Sequence, residues 1–399
     1  MATILGLRGT GQWGNERPTN FREGILRLYP NSPAIMTMLS GKLQSESVDD
    51  PKFTFFEKGL PPTQVTVNGL CADEDVTTVT FDSTAGLRAG SVLFNETTGE
   101  YMRVTSVTDG TDAVLVRDIN EDLADHPIAD DEVLTIVGSA FAEGASVPGS
   151  TSTTASEVYN YTQIFRTPLE LTGTMKETYL RTGEVEKELK REAAERHAIE
   201  MEWSALLGLR LRTVASATGA GTGSNQYTRY TGGFTQFVTT NVYDVASDSA
   251  GVLGISDFEG WLEDLFLVPN SKSEKLLVCG NQVLTVMNQM ARSYGDINLV
   301  PTDEAFGLKL SRWETPYGTL YLKGHPLLSQ ASVFKGWGFA VDMANFRYRP
   351  LRNRDTKYLT DRQSPGDDKL VHEFLTEAGW EIRHENTHGI IKGVSSFAP

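Results

Sequence analysis

The chain has 399 residues, 39% apolar and 22% charged, the proportions of a globular protein able to bury a sizeable core. No apolar run reaches the roughly 18 residues of a membrane-spanning helix, and the opening MATILGLRGTGQWGNERP lacks the charged-then-apolar order of a secretory leader, so neither is expected. The formal net charge is −16, and residues 64–143 hold 16 acidic side chains against Arg88, Arg103 and Arg117, a net of −13 that excludes this segment from facing nucleic acid.

Residues 1–50 are rich in turn formers (Gly11, Gly14, Pro18, Pro30, Pro33) and mildly basic up to Lys42. They read as an extended N-terminal arm with one short helix. Residues 51–63 (PKFTFFEKGLPPT) alternate around Phe53 and Phe55 and break at Pro61-Pro62, a strand in an exposed excursion. From 64 to 138, short apolar stretches recur about every ten residues between turn clusters, which predicts a small all-β barrel or sandwich. Residues 144–156 are polar, and a strand-like pattern resumes at Val158, Tyr161, Ile164 and Phe165. The stretches 51–63 and 139–168 read as two legs of one loop with the β module inserted between them.

Residues 183–211 contain no proline and are dominated by helix formers, predicting a helix roughly 42 Å long. Val185, Leu189, Ile199, Trp203, Leu206 and Leu207 fall within about 100° of arc. Glu192 and Arg196, four residues apart, can pair, and Glu184 and Glu186 suit the positive N-terminal end. A helix longer than a small domain is wide is expected to meet something beyond its own core along its middle. Residues 219–225 (GAGTGSN) read as a flexible loop. The pattern then predicts a helix over 258–267, a buried strand over 275–279, a helix over 282–294 and a hairpin over 307–323 turning at Pro316-Tyr317-Gly318. Residues 338–351 and 369–394 read mainly as strands. No internal repeat is visible.

Little of this points to catalysis. His384-Glu385-Asn386-Thr387-His388 is a literal H-E-x-x-H, which in a metalloprotease lies on a helix. Here Gly379–Arg383 alternate like a strand and Gly389 follows at once, so a strand–turn–strand corner is expected, with no metal. Gly219, Gly221 and Gly223 lack the Lys-Ser/Thr of a phosphate loop. Cys71 and Cys279 are expected to be buried free thiols of a reducing compartment. The run Arg347, Arg349, Arg352, Arg354, Lys357 and Arg362 reads as a solvated or inter-subunit salt-bridge edge, with phosphate contact as the other reading.

The order arm, two-legged loop, long helix, mixed α/β region and terminal strands resembles the Hong Kong 97-type fold of tailed-phage major capsid proteins. Three stretches carry the likeness: GGFTQFV at 232–238, GFAVD at 338–342 with FRYRPL at 346–351, and EAGWEIR at 377–383 running into HGII at 388–391. The resemblance implies an α+β capsid fold with arm 1–50, extended loop 51–63 and 139–168, and an acidic β insertion domain 64–138. It also implies a peripheral domain 169–225 with 346–399 and an axial domain 226–345. It implies no enzyme and no cofactor, but self-assembly into hexamers and pentamers of an icosahedral shell around double-stranded DNA. Scaffolding, portal and decoration proteins are the expected partners, with non-specific DNA contact inside, no membrane, and assembly in the host cytoplasm into the virion. Phe53, Phe55, Lys58, Glu192, Arg196, Arg347, Arg349, Arg352 and Arg354 are the residues expected at assembly contacts. Lysine–asparagine crosslinking occurs in some relatives; Lys58 sits in the loop, but that chemistry also needs an asparagine and a carboxylate from other subunits, so no crosslink is expected from it. The alternative is the shell protein of a cellular encapsulating compartment of the same fold.

Overall fold

The computed structural model describes residues 45–71, 77–120, 127–178, 184–214, 227–268, 271–294, 300–305 and 308–398. Most of the N-terminal arm and the 219–225 loop lie outside them. The chain forms two compact units, one holding the chain up to Thr54 together with Tyr159 onward, the other Phe55–Val158. The division falls in a two-stranded ribbon of β1 (Lys52–Glu57) and β8 (Ser156–Tyr161).

The Phe55–Val158 unit is a barrel. Its strands β2 (Gln64–Thr66), β3 (Thr78–Thr80), β4 (Ser91–Asn95), β5 (Tyr101–Val107), β6 (Asp112–Val116) and β7 (Val133–Ser139) run in the order β2-β7-β4-β5-β6-β3. Antiparallel pairing joins every neighbour. The two ends then meet: Val67 bridges Phe81, Asn68 N–H donates to Thr80 O at 2.9 Å and Asp82 N–H to Thr66 O at 3.0 Å. Closure removes the unpaired edges. Alternate residues point inward, so Val65, Phe81, Leu93, Met102, Val104, Leu115 and Leu134 fill one core. Of the two architectures expected, barrel or sandwich, the strands form the barrel.

In the other unit, β9 (Gln163–Thr172) leads through α1 (Gly173–Glu177) to the long helix α2 (Val185–Leu207). Four strands form an antiparallel sheet centred on β21 (Lys369–Ile382). β9 pairs with it over ten residues, while β19 (Phe346–Pro350) and β20 (Lys357–Leu359) follow one another along its other edge. α2 lies on this sheet. The helix ends four residues before the expected 211 because Thr231–Gly233 pass tightly there; a Cβ at Gly208 would collide with the carbonyls of Ser204 and Thr231. The chain then turns into a ribbon of β10 (Leu211–Val214) and β11 (Tyr227–Tyr230).

A seven-stranded mixed sheet completes the unit, in the order β12 (Val242–Asp244), β22 (Gly389–Lys392), β18 (Gly338–Val341), β14 (Glu274–Cys279), β17 (Thr319–Gly324), β16 (Leu308–Glu314) and β15 (Val300–Ala305). β14 sits centrally, parallel to β17 and antiparallel to β18, so its continuous apolar run is covered on both faces. Short helices α3 (Phe234–Phe237) and α4 (Val245–Asp248) flank β12; β13 (Val252–Leu253) pairs with β23 (Ser396–Phe397). Helices α5 (Ile255–Phe266) and α6 (Asn281–Tyr294) supply Phe258, Leu262, Leu265, Val283, Val286 and Met290 to a shared core, and α7 (Pro326–Gln330) follows β17. Two boundaries differ from expectation. Residues 163–168, read as the tail of the loop, are the body of β9. Residues 389–392, read with the strands of the α2 sheet, belong to the seven-stranded sheet.

Candidate assembly surfaces

The late arginines are organised by β21. Glu373, Glu377 and Glu381 recur every four residues, so all three project from one face of that strand. Each side chain is buried, and each is matched by arginine. Glu373 takes Arg166 at 2.5 Å and Arg362 at 3.1 Å; Glu377 takes Arg354 at 2.5 Å; Glu381 takes Arg349 and Arg383. Thr376 and Trp380, of the other parity, face α2: Thr376 Oγ1 lies 2.7 Å from His197 Nε2, and Trp380 Nε1 donates to Ser204 Oγ at 3.0 Å. The sheet therefore has a helix on one face and an arginine–carboxylate ladder on the other. Arg349 also reaches Glu46 at 2.6 Å, Arg347 reaches it at 3.8 Å, and Arg352 reaches Asp49 at 3.5 Å. These pairs hold the segment 45–50, which runs alongside β19 through bridges Ser45–Tyr348 and Val48–Leu351. The expected solvated or inter-subunit edge is thus largely an internal network. Arginine forks matched to buried carboxylates are committed donors, which leaves them little capacity for phosphate.

α2 buries a face that its sequence did not advertise. Of the expected stripe Val185, Leu189, Ile199, Trp203, Leu206 and Leu207, Leu206 is buried and the other five are half-buried, whereas Ala193, His197 and Met201 are buried. The offset is roughly 100° around the helix. His197 explains it: its Nδ1 lies 3.0 Å from Thr167 Oγ1 on β9, and its other nitrogen reaches β21, so a polar residue is buried and satisfied. Burial holds this imidazole below its ordinary pKa. Further along, Glu202 meets His325 Nε2 at 2.6 Å with both side chains fully buried. Glu192 and Arg196 do pair, at 3.2 Å, on the exposed side. The half-buried side of the helix continues into an open groove of about 690 Å³ at the C-terminal end of α2, between β9 and β11. Ile164, Trp203, Leu207, Leu209 and Tyr230 line it, with Arg166 and Glu200 among the polar members. Burial raises the Glu200 carboxyl, against the lowering influence of Thr167 and Arg196.

The ribbon gives a correction at its root. Phe53 and Phe55, expected at assembly contacts, are buried within their own chain; a Cβ at Gly379 would lie 2.7 Å from the Phe53 ring. Because alternate strand residues face opposite ways, the consecutive pair Phe55-Phe56 turns Phe56 outward, where it is 72% exposed. Sequence reading passed over it, although the doubled phenylalanine was the signal. Lys58 is exposed, as a contact residue would be. Asn160 pins the base of β8: its Nδ2 donates to Trp380 O at 2.7 Å and Gly232 O at 3.1 Å, while its Oδ1 accepts from Gly232 N–H at 2.8 Å.

The H-E-x-x-H corner is structural. His384 adopts a left-handed conformation (φ 48°), and 385–387 make one 3-10 turn before β22. Glu385 accepts hydrogen bonds from Thr239 N–H at 2.8 Å and Thr240 N–H at 3.3 Å. Burial pushes its carboxyl up, but these bonds and the two threonine hydroxyls prevail and hold it below the usual range. His388 is fully buried, its Nδ1 accepting from Asp342 N–H at 3.1 Å. Burial, with help from Lys275, drives it down to about 3. Its ring and that of Phe234 are nearly perpendicular, with centroids 5.3 Å apart. Among the described residues, no group of three His, Cys, Asp or Glu side chains could hold a metal ion.

Comparison with known proteins adds the remaining observation. A family model described as SU10 major capsid protein matches residues 6–395. The major capsid protein of Pseudomonas phage PaMx41 is 25% identical over 358 residues, covering 88% of this chain and 82% of that one. Among solved structures, a chain of Mycobacterium phage Ogopogo is 11% identical with a TM-score of 0.49, covering 98% of this chain and 100% of its own. A chain of the native GTA particle capsid is 10% identical with a TM-score of 0.48, covering 99% and 100%. The SrpI encapsulin of Synechococcus elongatus PCC 7942 is 9% identical, also at 0.48, covering 99% of both.

Proposed function

This chain belongs to the SU10 major capsid protein family, and we propose that it closes into hexamers and pentamers of an icosahedral shell around double-stranded DNA. It is a phage major capsid protein, a structural subunit of the virion shell that associates with its own copies. Its α+β order, a ribbon before a long helix, a sheet under that helix and a mixed sheet of later strands, is that of the Hong Kong 97-type fold.

The single observation that carries the proposal is that the fold leaves its own apolar surface uncovered. The groove beside α2, Phe56 and Leu60 on the loop, and Leu211, Val214, Tyr227 and Tyr230 on the β10–β11 ribbon are all open to water. A two-stranded ribbon with both faces exposed is marginal alone, and exposed apolar patches mark interfaces. In this reading the arm is 1–50, and the extended loop of β1 and β8 crosses a neighbour and carries the acidic barrel as an insertion on the outer surface. The α2 sheet is the peripheral domain, and the seven-stranded sheet is the axial one. Scaffolding, portal and decoration proteins assist, packaged DNA touches the inner face without sequence preference, and assembly takes place in the host cytoplasm. The chain does no catalysis in this scheme. Expression followed by sedimentation and electron microscopy tests it: shells or capsomer rings are expected, and a compact monomer persisting at high concentration would overturn it.

A further inference from the structure

The β10–β11 ribbon carries positive charge that the chain does not neutralise. Between Glu202 and Asp244 the sequence holds Arg210, Arg212 and Arg229 and no acidic residue, in a chain whose net charge is −16. The register sets Arg212 directly opposite Arg229 and Val214 opposite Tyr227, so these four share one face. Leu211, Thr213, Thr228 and Tyr230 take the other face, and Tyr230 lines the groove beside α2. Arg210, at the root, is committed: it donates to Tyr159 O at 2.9 Å and lies over the Tyr159 ring. Arg212 is exposed, its guanidinium 4.6 Å from the centre of the Tyr227 ring, and Arg229 is half-buried. Among the described residues neither makes an ion pair. Like charges directly opposite one another destabilise a ribbon, and a two-stranded ribbon is marginal to begin with. Arg349 and Arg354 have their carboxylates within the chain; Arg212 and Arg229 keep a repulsion that an anion from outside would relieve.

Resting on the shell-subunit reading above, we infer that the arginine face of β10–β11 is where each copy holds the sugar–phosphate backbone of the enclosed duplex DNA. A guanidinium fork matches phosphate oxygens with two parallel bonds. Two forks side by side suit a ligand that carries a negative charge about every 1.7 Å along its axis. The exposed Tyr227 adds a flat apolar surface beside them. A two-stranded ribbon is also an element that the major groove of duplex DNA, about 12 Å wide, admits. Phosphate contacts carry no sequence information, so this binding is indifferent to base order. One copy brings two charges and holds DNA weakly, whereas many copies around one enclosed molecule act together.

The test uses the full-length chain as dissociated subunits and a short fluorescent DNA duplex of random sequence. Anisotropy titrations over a range of salt give the affinity and its salt dependence. Two phosphate contacts predict a slope of log affinity against log salt of about −2. Arg212→Ala and Arg229→Ala should each weaken binding several-fold and reduce that slope by about 1, whereas Arg212→Lys should keep it. A duplex of unrelated sequence should bind equally well. Hydrogen exchange of the unsubstituted chain locates the contact without any variant: added duplex should slow exchange at 211–214 and 227–230. Several results would overturn the inference: no binding by the unsubstituted chain, protection confined to other segments, or folded alanine variants that bind as before. So would poly-glutamate competing as well as duplex, the sign that a protein carboxylate is the partner. All of these leave the shell reading intact, because failure of the unsubstituted chain to form particles is what would strike that reading.

Discussion

Lowering the pH from 7 to 5 should destabilise this fold through His388. The imidazole is fully buried and accepts the Asp342 N–H, and its pKa falls from 6.5 to about 3. Between those two values the unfolded chain binds a proton that the folded chain refuses. Stability is therefore whole above about pH 6.5 and is lost progressively as the pH falls toward 3. At about 1.4 kcal/mol per unit, the loss from this residue is about 2 kcal/mol at pH 5 and about 5 kcal/mol near pH 3. His197, also lowered by burial, acts in the same direction, so the informative quantity is a difference between variants. His388→Gln keeps an acceptor for Asp342 N–H but cannot titrate. Urea unfolding of dissociated subunits at low concentration, followed by tryptophan fluorescence, measures both. The unsubstituted chain should lose about 2 kcal/mol more than the variant between pH 7 and 5. Parallel pH profiles would refute the reasoning, whatever the variant's baseline stability.

Lys275 gives the alkaline counterpart. Burial lowers it to about 8 against a smaller opposing influence from Asp342, so stability should rise between pH 8 and 10.5, by up to about 3 kcal/mol, and Lys275→Met should flatten that rise. On the ladder, Arg354→Ala strands the buried Glu377 carboxylate and should cost about 3 kcal/mol, whereas Arg362→Ala leaves Glu373 its Arg166 and should cost about 1 kcal/mol; thermal unfolding of the two variants ranks them. Gly379→Ala places a methyl 2.7 Å from both the Phe53 ring and the Tyr161 carbonyl oxygen. It should cost about 1–3 kcal/mol and raise amide exchange in β1 and β8 before the rest of the chain.

Local patterns were legible where local physics decides. The run at 275–279 reads as buried because a central strand is covered on both faces, and α5 and α6 show their cores through helical periodicity alone. The barrel showed through alternation and turn spacing. What stayed hidden was set by partners distant in sequence. β9 looked like the end of a loop because its ten-residue partner β21 begins some two hundred residues later. The covered face of α2 depended on which polar groups the sheet offers: His197 is buried because Thr167 and Thr376 meet it, which no helical wheel contains. The arginine run was visible, but its carboxylates were not connected to it, although acidic residues every fourth position in an apolar strand were a readable sign that one face needed cations. In the loop segment that the sequence singled out, Phe53 and Phe55 are buried within their own chain, and Phe56 is the one left facing outward.

The charge distribution limits what can hold copies together. Within residues 64–143, Arg117 is buried against Glu100 in a two-pronged pair at 2.7 and 2.8 Å. That pair cancels one charge of each sign and leaves the segment's net of −13 unchanged. In the other unit, the arginines that might have balanced it are spent on Glu373, Glu377 and Glu381 and on the 45–50 segment. Two chains of net charge −16 therefore repel as they come within about the screening length, about 8 Å at physiological salt. Attraction has to come from contact, where apolar area leaves water and a few opposed charges set register. The groove and Phe56, Tyr227 and Tyr230 are apolar surfaces that the described residues leave open. Screened repulsion set against apolar adhesion at contact also makes incorrect encounters dissociate, which a shell built from many identical contacts requires.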